Sequence, residues 1–115
     1  MTIPIDIDDV PTEEIKMMEW LVDWYKSQCG KEAGCFCNWG DFYGIKIETI
    51  DNPGWHVQID LAETDAAQKP FEAIERDRSD NDWIFCKVQD GKFDGVGDCT
   101  KLTEIIKIFQ RFIQQ

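Results

Sequence analysis

The sequence predicts an α+β domain, an antiparallel sheet of four to five strands with an N-terminal and a C-terminal helix packed on it. Three observations carry this. Apolar residues recur at helical spacing near both ends of the chain, they alternate with a period of two in the middle, and turn residues separate the alternating runs. The 115 residues read as one domain, 1–115, large enough to bury about two thirds of the surface of the unfolded chain.

The first helix is expected over residues 12–29. Thr12 is placed to cap it, and Glu13 and Glu14 fall in the first turn, where the helix dipole favours anions. Ile15, Met18, Leu21, Val22 and Tyr25 form an apolar stripe, widened by Met17, Trp20 and Trp24. Gly30 is a natural stop just past the last turn. An irregular segment follows, "KEAGCFCNWGD", from Lys31 to Asp41.

The stretch "IKIETIDNPGWHVQIDL" then reads as a hairpin. Ile45, Ile47 and Thr49 share one face of the first strand, and Trp55, Val57, Ile59 and Leu61 share one face of the second. His56, Gln58 and Asp60 take the wetter face. Pro53 and Gly54 at the centre of the connection suit a type II turn, with Gly54 supplying a positive φ. "FEAIER" and "WIFCKVQ" give a third and a fourth strand, joined by a polar turn at residues 79–82. Asp90-Gly91 is a tight-hairpin signal leading into a short fifth strand around Lys92 to Val96. The last helix is expected over residues 100–113, where Leu102, Ile105, Ile106, Phe109, Phe112 and Ile113 repeat at helical spacing. Its apolar stripe needs a surface to lie on, and the sheet supplies one.

Twenty-three acids against twelve Lys and Arg give a formal net charge of −11. Such a field repels nucleic acid and lipid headgroups and steers a basic protein towards the chain. The N-terminal stretch shows no basic leader followed by an apolar run, so the expectation is a cytosolic protein with reduced thiols. No cofactor is implied.

Among candidate sites, Cys29, Cys35 and Cys37 cluster near His56 if the hairpin folds back. They lack the paired spacing of a zinc site. "DGKFDGVGD" offers Asp90, Asp94 and Asp98 as oxygen donors, but its spacing departs from an EF-hand loop. The serines stand in no nucleophile elbow. One alternative therefore stays open, a small metal- or thiol-dependent module using Cys35, Cys37 and His56. The aromatics point to recognition instead. Trp39 lies in the irregular segment, and an aromatic among acids has the composition of a protein-binding surface.

The ordered pattern "WLVDWYKSQCG", "NWGDFYGIKIETIDNPGWHVQIDLAET", "DWIFCKVQDGKFDGVGD" and "LTEIIKIF" resembles the immunity protein 53 family of bacterial polymorphic toxin systems. The most specific piece is the turn Asp51-Asn52-Pro53-Gly54-Trp55. Trp24-Tyr25, Cys29-Gly30, Trp39, Gly44 and Thr64 also fall where the family pattern has them. Gly40-Asp41 stand where that pattern has Glu-His, and the preceding link is longer and carries cysteines. The resemblance implies a non-enzymatic protein that binds and neutralises a cognate toxin. The charge adds that the toxin is basic, as a nuclease with a substrate groove would be. Trp39, Asp41, Tyr43, His56 and Asp60 are the expected partner-binding residues, and Trp55 is expected to anchor the hairpin against a helix.

Overall fold

The computed structural model describes residues 12–28, 44–62 and 64–115. Along the chain these form α1 (Thr12–Gln28), β1 (Ile45–Ile50), β2 (Gly54–Asp60), β3 (Ile74–Ser79), β4 (Asp82–Gln89), β5 (Lys92–Gly97) and α2 (Leu102–Gln114). The strands make one five-stranded sheet in the order β1-β2-β5-β4-β3, and every neighbouring pair is antiparallel. The α+β reading therefore holds.

Two local units build the sheet: the β1–β2 hairpin, and the meander of β3, β4 and β5. Residues 61–73 carry the chain from β2 to the far edge, so β5 returns to lie beside β2. Asp90 and Gly91 both take positive φ, 55° and 75°, as the tight turn between β4 and β5 requires.

Register sorts the side chains onto two faces. Val57, Ile59, Ile84, Cys86 and Phe93 are buried on the face that meets the helices. There α2 contributes Ile105, Ile106, Phe109 and Phe112, and α1 contributes Met17, Leu21 and Trp24. Burying the four α2 side chains contributes on the order of 6–12 kcal/mol before entropy is subtracted. Phe93 is the hub, with ring centroids 5.1 Å from Phe109 and 5.7 Å from Phe71. Trp24 stands edge-on to Phe109 at 5.0 Å.

The structure corrects three local expectations. The buried line of α1 is Met17, Leu21 and Trp24, while Met18 and Val22 are exposed. Residues i, i+4 and i+7 share a helix face, and contact with Phe109 selects this one. The third strand starts at Ile74, because Phe71 packs its ring between Phe93 and Phe112 and stays out of the ladder.

The third correction concerns Gly54, which takes no positive φ and is the first residue of β2, paired with Ile50. The connection is the three residues Asp51, Asn52 and Pro53. Glycine is needed at 54 for space, since a Cβ there would lie 2.2 Å from the Gly97 carbonyl oxygen. The same logic places Gly95 under α2, where a Cβ would meet Ile105 at 2.4 Å.

A buried polar cluster ties the end of β5 to the start of α2. Asp98 is 2% exposed and accepts hydrogen bonds from the Trp83 backbone N–H (2.9 Å), the Thr100 backbone N–H (2.8 Å) and the Thr100 hydroxyl (2.6 Å). Lys101, just ahead of α2, places Nζ 2.9 Å from Asp98 and 3.0 Å from Asp82. A cation at a helix N-terminus opposes the dipole, and the two carboxylates offset it. Burial pushes the Asp98 carboxyl up, but the hydrogen bonds from Thr100, Lys101 and the backbone outweigh it and hold it well below the usual carboxylate range.

Candidate functional site

The opposite face of the sheet has no helix on it among the described residues. Reading across the strands by register, one row runs Glu48, His56, Val96, Phe85 and Glu75. The next row runs Lys46, Gln58, Asp94 and Lys87, and beyond it Asp60 stands opposite Lys92. Phe85, on β4 beside the central Val96, is 42% exposed. Phe85, Val96 and Trp83, with Asn52 from the β1–β2 connection, line a concavity of about 530 Å³ rimmed by Glu75, Lys87 and Asp94. An antiparallel sheet with one solvated face normally carries polar residues there. The apolar patch at the middle of this one is the exception that calls for an explanation.

His56 is held on both sides. Nδ1 lies 3.0 Å from Glu48 and Nε2 lies 2.9 Å from Asp94. Both ring nitrogens lie within hydrogen-bond distance of carboxylate oxygens. Glu48 is directly opposite His56 on β1, and Asp94 is diagonal to it on β5. The hydrogen bond with His56 lowers the Glu48 carboxyl from its ordinary value. The clamp spans three strands and holds the imidazole in the row that His56 shares with Val96.

Of the residues expected from sequence to contact a partner, His56 and Asp60 lie on this open face. Trp39, Asp41 and Tyr43, like Cys35 and Cys37 of the metal or thiol reading, fall outside the described residues. Trp55 lies on the helix-covered face and donates its indole N–H to the Cys99 carbonyl at 3.1 Å, so it pins the hairpin to the connection that leads into α2. Asp51, Asn52 and Pro53 are exposed at the rim.

Sequence reasoning missed Glu48, Trp83, Phe85 and Val96, and it named Asp94 only as a candidate calcium donor. Alternation alone assigns each a face, but only the β2–β5 and β4–β5 registers bring them together. The calcium reading separates in space: Asp90 sits in a turn, Asp94 clamps His56, and Asp98 is buried against Lys101. Among the described residues no group of three or more His, Cys, Asp or Glu is placed to hold a metal ion. Cys86 is buried, and burial pushes its thiol up to about 12, whereas Cys99 is exposed. A second apolar groove lies along α1, lined by Ile15, Met18, Val22 and Thr103 between Glu14, Glu19 and Asp23.

Residues 18–114 match the family described as immunity protein 53, which spans most of the chain, and the protein belongs to that family. No curated protein and no solved structure matches it.

Proposed function

We propose, with membership of the immunity protein 53 family as the premise, that this protein neutralises a cognate toxin by binding it through the open face of the sheet. The observation that carries the reading is Phe85, a large apolar side chain left 42% exposed on the face of the sheet opposite the one that packs against α1 and α2. Around it, Val96 and Trp83 extend the apolar contact, and the periphery carries Glu48, Asp60, Glu75 and Asp94 together with Lys46, Lys87 and Lys92. This is the layout of an interface core inside a charged rim. Trp39, Asp41 and Tyr43 belong to the same proposal as residues of the segment that precedes β1.

With a formal net charge of −11, the protein favours a basic toxin. A nuclease fits best, because a groove built to hold phosphates would accept a carboxylate-rimmed surface in their place. The protein acts by occupancy rather than by chemistry, as a non-enzymatic inhibitor.

The test is titration of the toxin encoded by the neighbouring gene with the protein and with Phe85→Ala, His56→Ala and Asp60→Ala, each checked for folding by circular dichroism. Phe85→Ala should cost at least ~2 kcal/mol of affinity, mainly through faster dissociation. Association should slow as salt rises, because the Debye length falls from roughly 10 Å at 0.1 M to about 3 Å at 1 M. Wild-type affinity in all three folded variants would move the interface off this face, and the α1 groove would be tested next.

A further inference from the structure

We propose that the β1 edge is a homodimer interface, through which two copies of this chain pair antiparallel about Ile47 and join their sheets into one of ten strands. The proposal stands apart from the toxin-binding reading and rests on the two edges of the sheet.

The β3 edge is guarded. It carries Glu75, Arg76, Asp77 and Arg78 in succession, and its register with β4 shifts between Asp77 and Ser79. Consecutive charges and an irregularity are the usual means by which an edge strand is kept from pairing with another chain. The β1 edge has no irregularity, and its two charges, Lys46 and Glu48, are of opposite sign and alternate with apolar or uncharged residues. Its six-residue register with β2 runs without a shift from Ile45 to Ile50, and Ile47 (39%) and Thr49 are exposed along it.

The backbone pattern says which groups face outward. The Asp60 N–H donates to the Gly44 carbonyl at 3.1 Å, and Gly44 is one step before the Ile45–Ile59 pair. In an antiparallel ladder, hydrogen-bonded pairs alternate with non-bonded ones. Lys46 and Glu48 therefore direct their N–H and C=O groups to β2, as Gly44 does. Ile45, Ile47 and Thr49 direct theirs away from the sheet.

A two-fold axis through Ile47 satisfies these groups and the side chains together. Ile47 meets Ile47 of the second copy, and Ile45 meets Thr49, so each outward N–H and C=O finds a partner. On the open face, Lys46 of one copy falls opposite Glu48 of the other, twice by symmetry. These are non-hydrogen-bonded pairs, the type in which side chains approach most closely. Within one copy, Lys46 and Glu48 are 3.7 Å apart and well exposed, so the Lys46 ammonium can exchange one Glu48 for the other without rearranging the backbone. The axis runs perpendicular to the sheet, so both open faces stay on the same side.

The experiment measures mass against concentration by sedimentation velocity for the full chain, for Lys46→Glu, for Glu48→Lys, and for an equimolar mixture of the two variants. Wild type should dimerise. Each variant alone sets like charges opposite one another in both pairs and should associate about tenfold more weakly. The mixture should recover the wild-type affinity, because two glutamates of one copy then face two lysines of the other. Hydrogen exchange gives a second readout: the Ile45, Ile47 and Thr49 amides should gain protection with concentration, while the Lys46 and Glu48 amides should not change. A monomer at every concentration, or variants that do not complement on mixing, would overturn the proposal.

Discussion

The two faces of the sheet are built from the same five strands and the same registers, yet they obey different rules. On the covered face, the central side chains are apolar and glycines let a helix approach to van der Waals contact, as at Gly95 under Ile105, while Arg76 at the β3 edge reaches Glu104 of α2. On the open face, Phe85, Val96 and Trp83 make an apolar patch among mostly polar and charged positions, which include the Glu48–His56–Asp94 clamp. The difference teaches that the covered face fixes the fold, and the proposed function assigns recognition to the open face. Substitutions on the first should read out in stability, and those on the second in binding.

The sharpest way to break this division is at Phe93, the centre of the aromatic cluster. Phe93→Ala should lower the unfolding free energy by about 3–5 kcal/mol, through lost burial and an unfilled cavity. Urea denaturation followed by tryptophan fluorescence measures it. A loss below about 1 kcal/mol would mean that the cluster is loosely packed.

Gly95→Ala tests the close approach of α2. The added Cβ would stand 2.4 Å from the Ile105 side chain, which is itself fully buried and has nowhere to go. Overpacking of this kind costs about 1–3 kcal/mol. Gly91→Ala makes a useful contrast: nothing lies within 4 Å of its Cβ, and only its φ of +75° resists the change.

How much of this was legible in the sequence follows from the range of the signals. The helices, both hairpins and the face assignment of His56 and Asp60 rest on local periodicity and turn residues, and these carried over with shifts of a few residues. Gly54 misled because a Pro-Gly pair is read as a turn, whereas here the glycine answers a contact 43 residues away at Gly97. The β2–β5 pairing was hidden for the same reason, since no local pattern specifies which strand lies beside which. With it were hidden the Asp94 contact to His56 and the apolar patch. The family, by contrast, was visible in the Asp51–Trp55 turn.

Asp98 probes the joint that holds α2 on the covered face, and it adds pH to the comparison. Its carboxyl titrates below its unfolded value of about 3.9, so the folded state binds fewer protons than the unfolded one. Its contribution to stability is therefore complete above about pH 4 and drains away as the pH falls further, through the folded-state value. Asp98→Asn should cost about 1–2 kcal/mol at neutral pH. It should also flatten the acid limb of the stability curve below pH 4, which equilibrium unfolding at several pH values would record. An unchanged acid limb would assign acid sensitivity to other carboxylates.

The smallest effect on the fold is expected from Phe85→Ala, and that smallness is what makes it informative. Phe85 stands on the open face beside Val96, with no helix over it among the described residues, and 42% of its surface is already in water. Removing the ring forfeits only part of its burial against Val96 and Trp83, and it opens no enclosed cavity. The unfolding free energy should fall by no more than about 1 kcal/mol, well under the cost at Phe93. If Phe85 served the fold as Phe93 does, the two losses would be alike. The division of the sheet into a face for stability and a face for recognition would then fail. A mild loss of stability joined to a large loss of toxin affinity would sharpen it, because a side chain that costs the monomer so little to lose would then owe its place on the open face to what it touches in the complex.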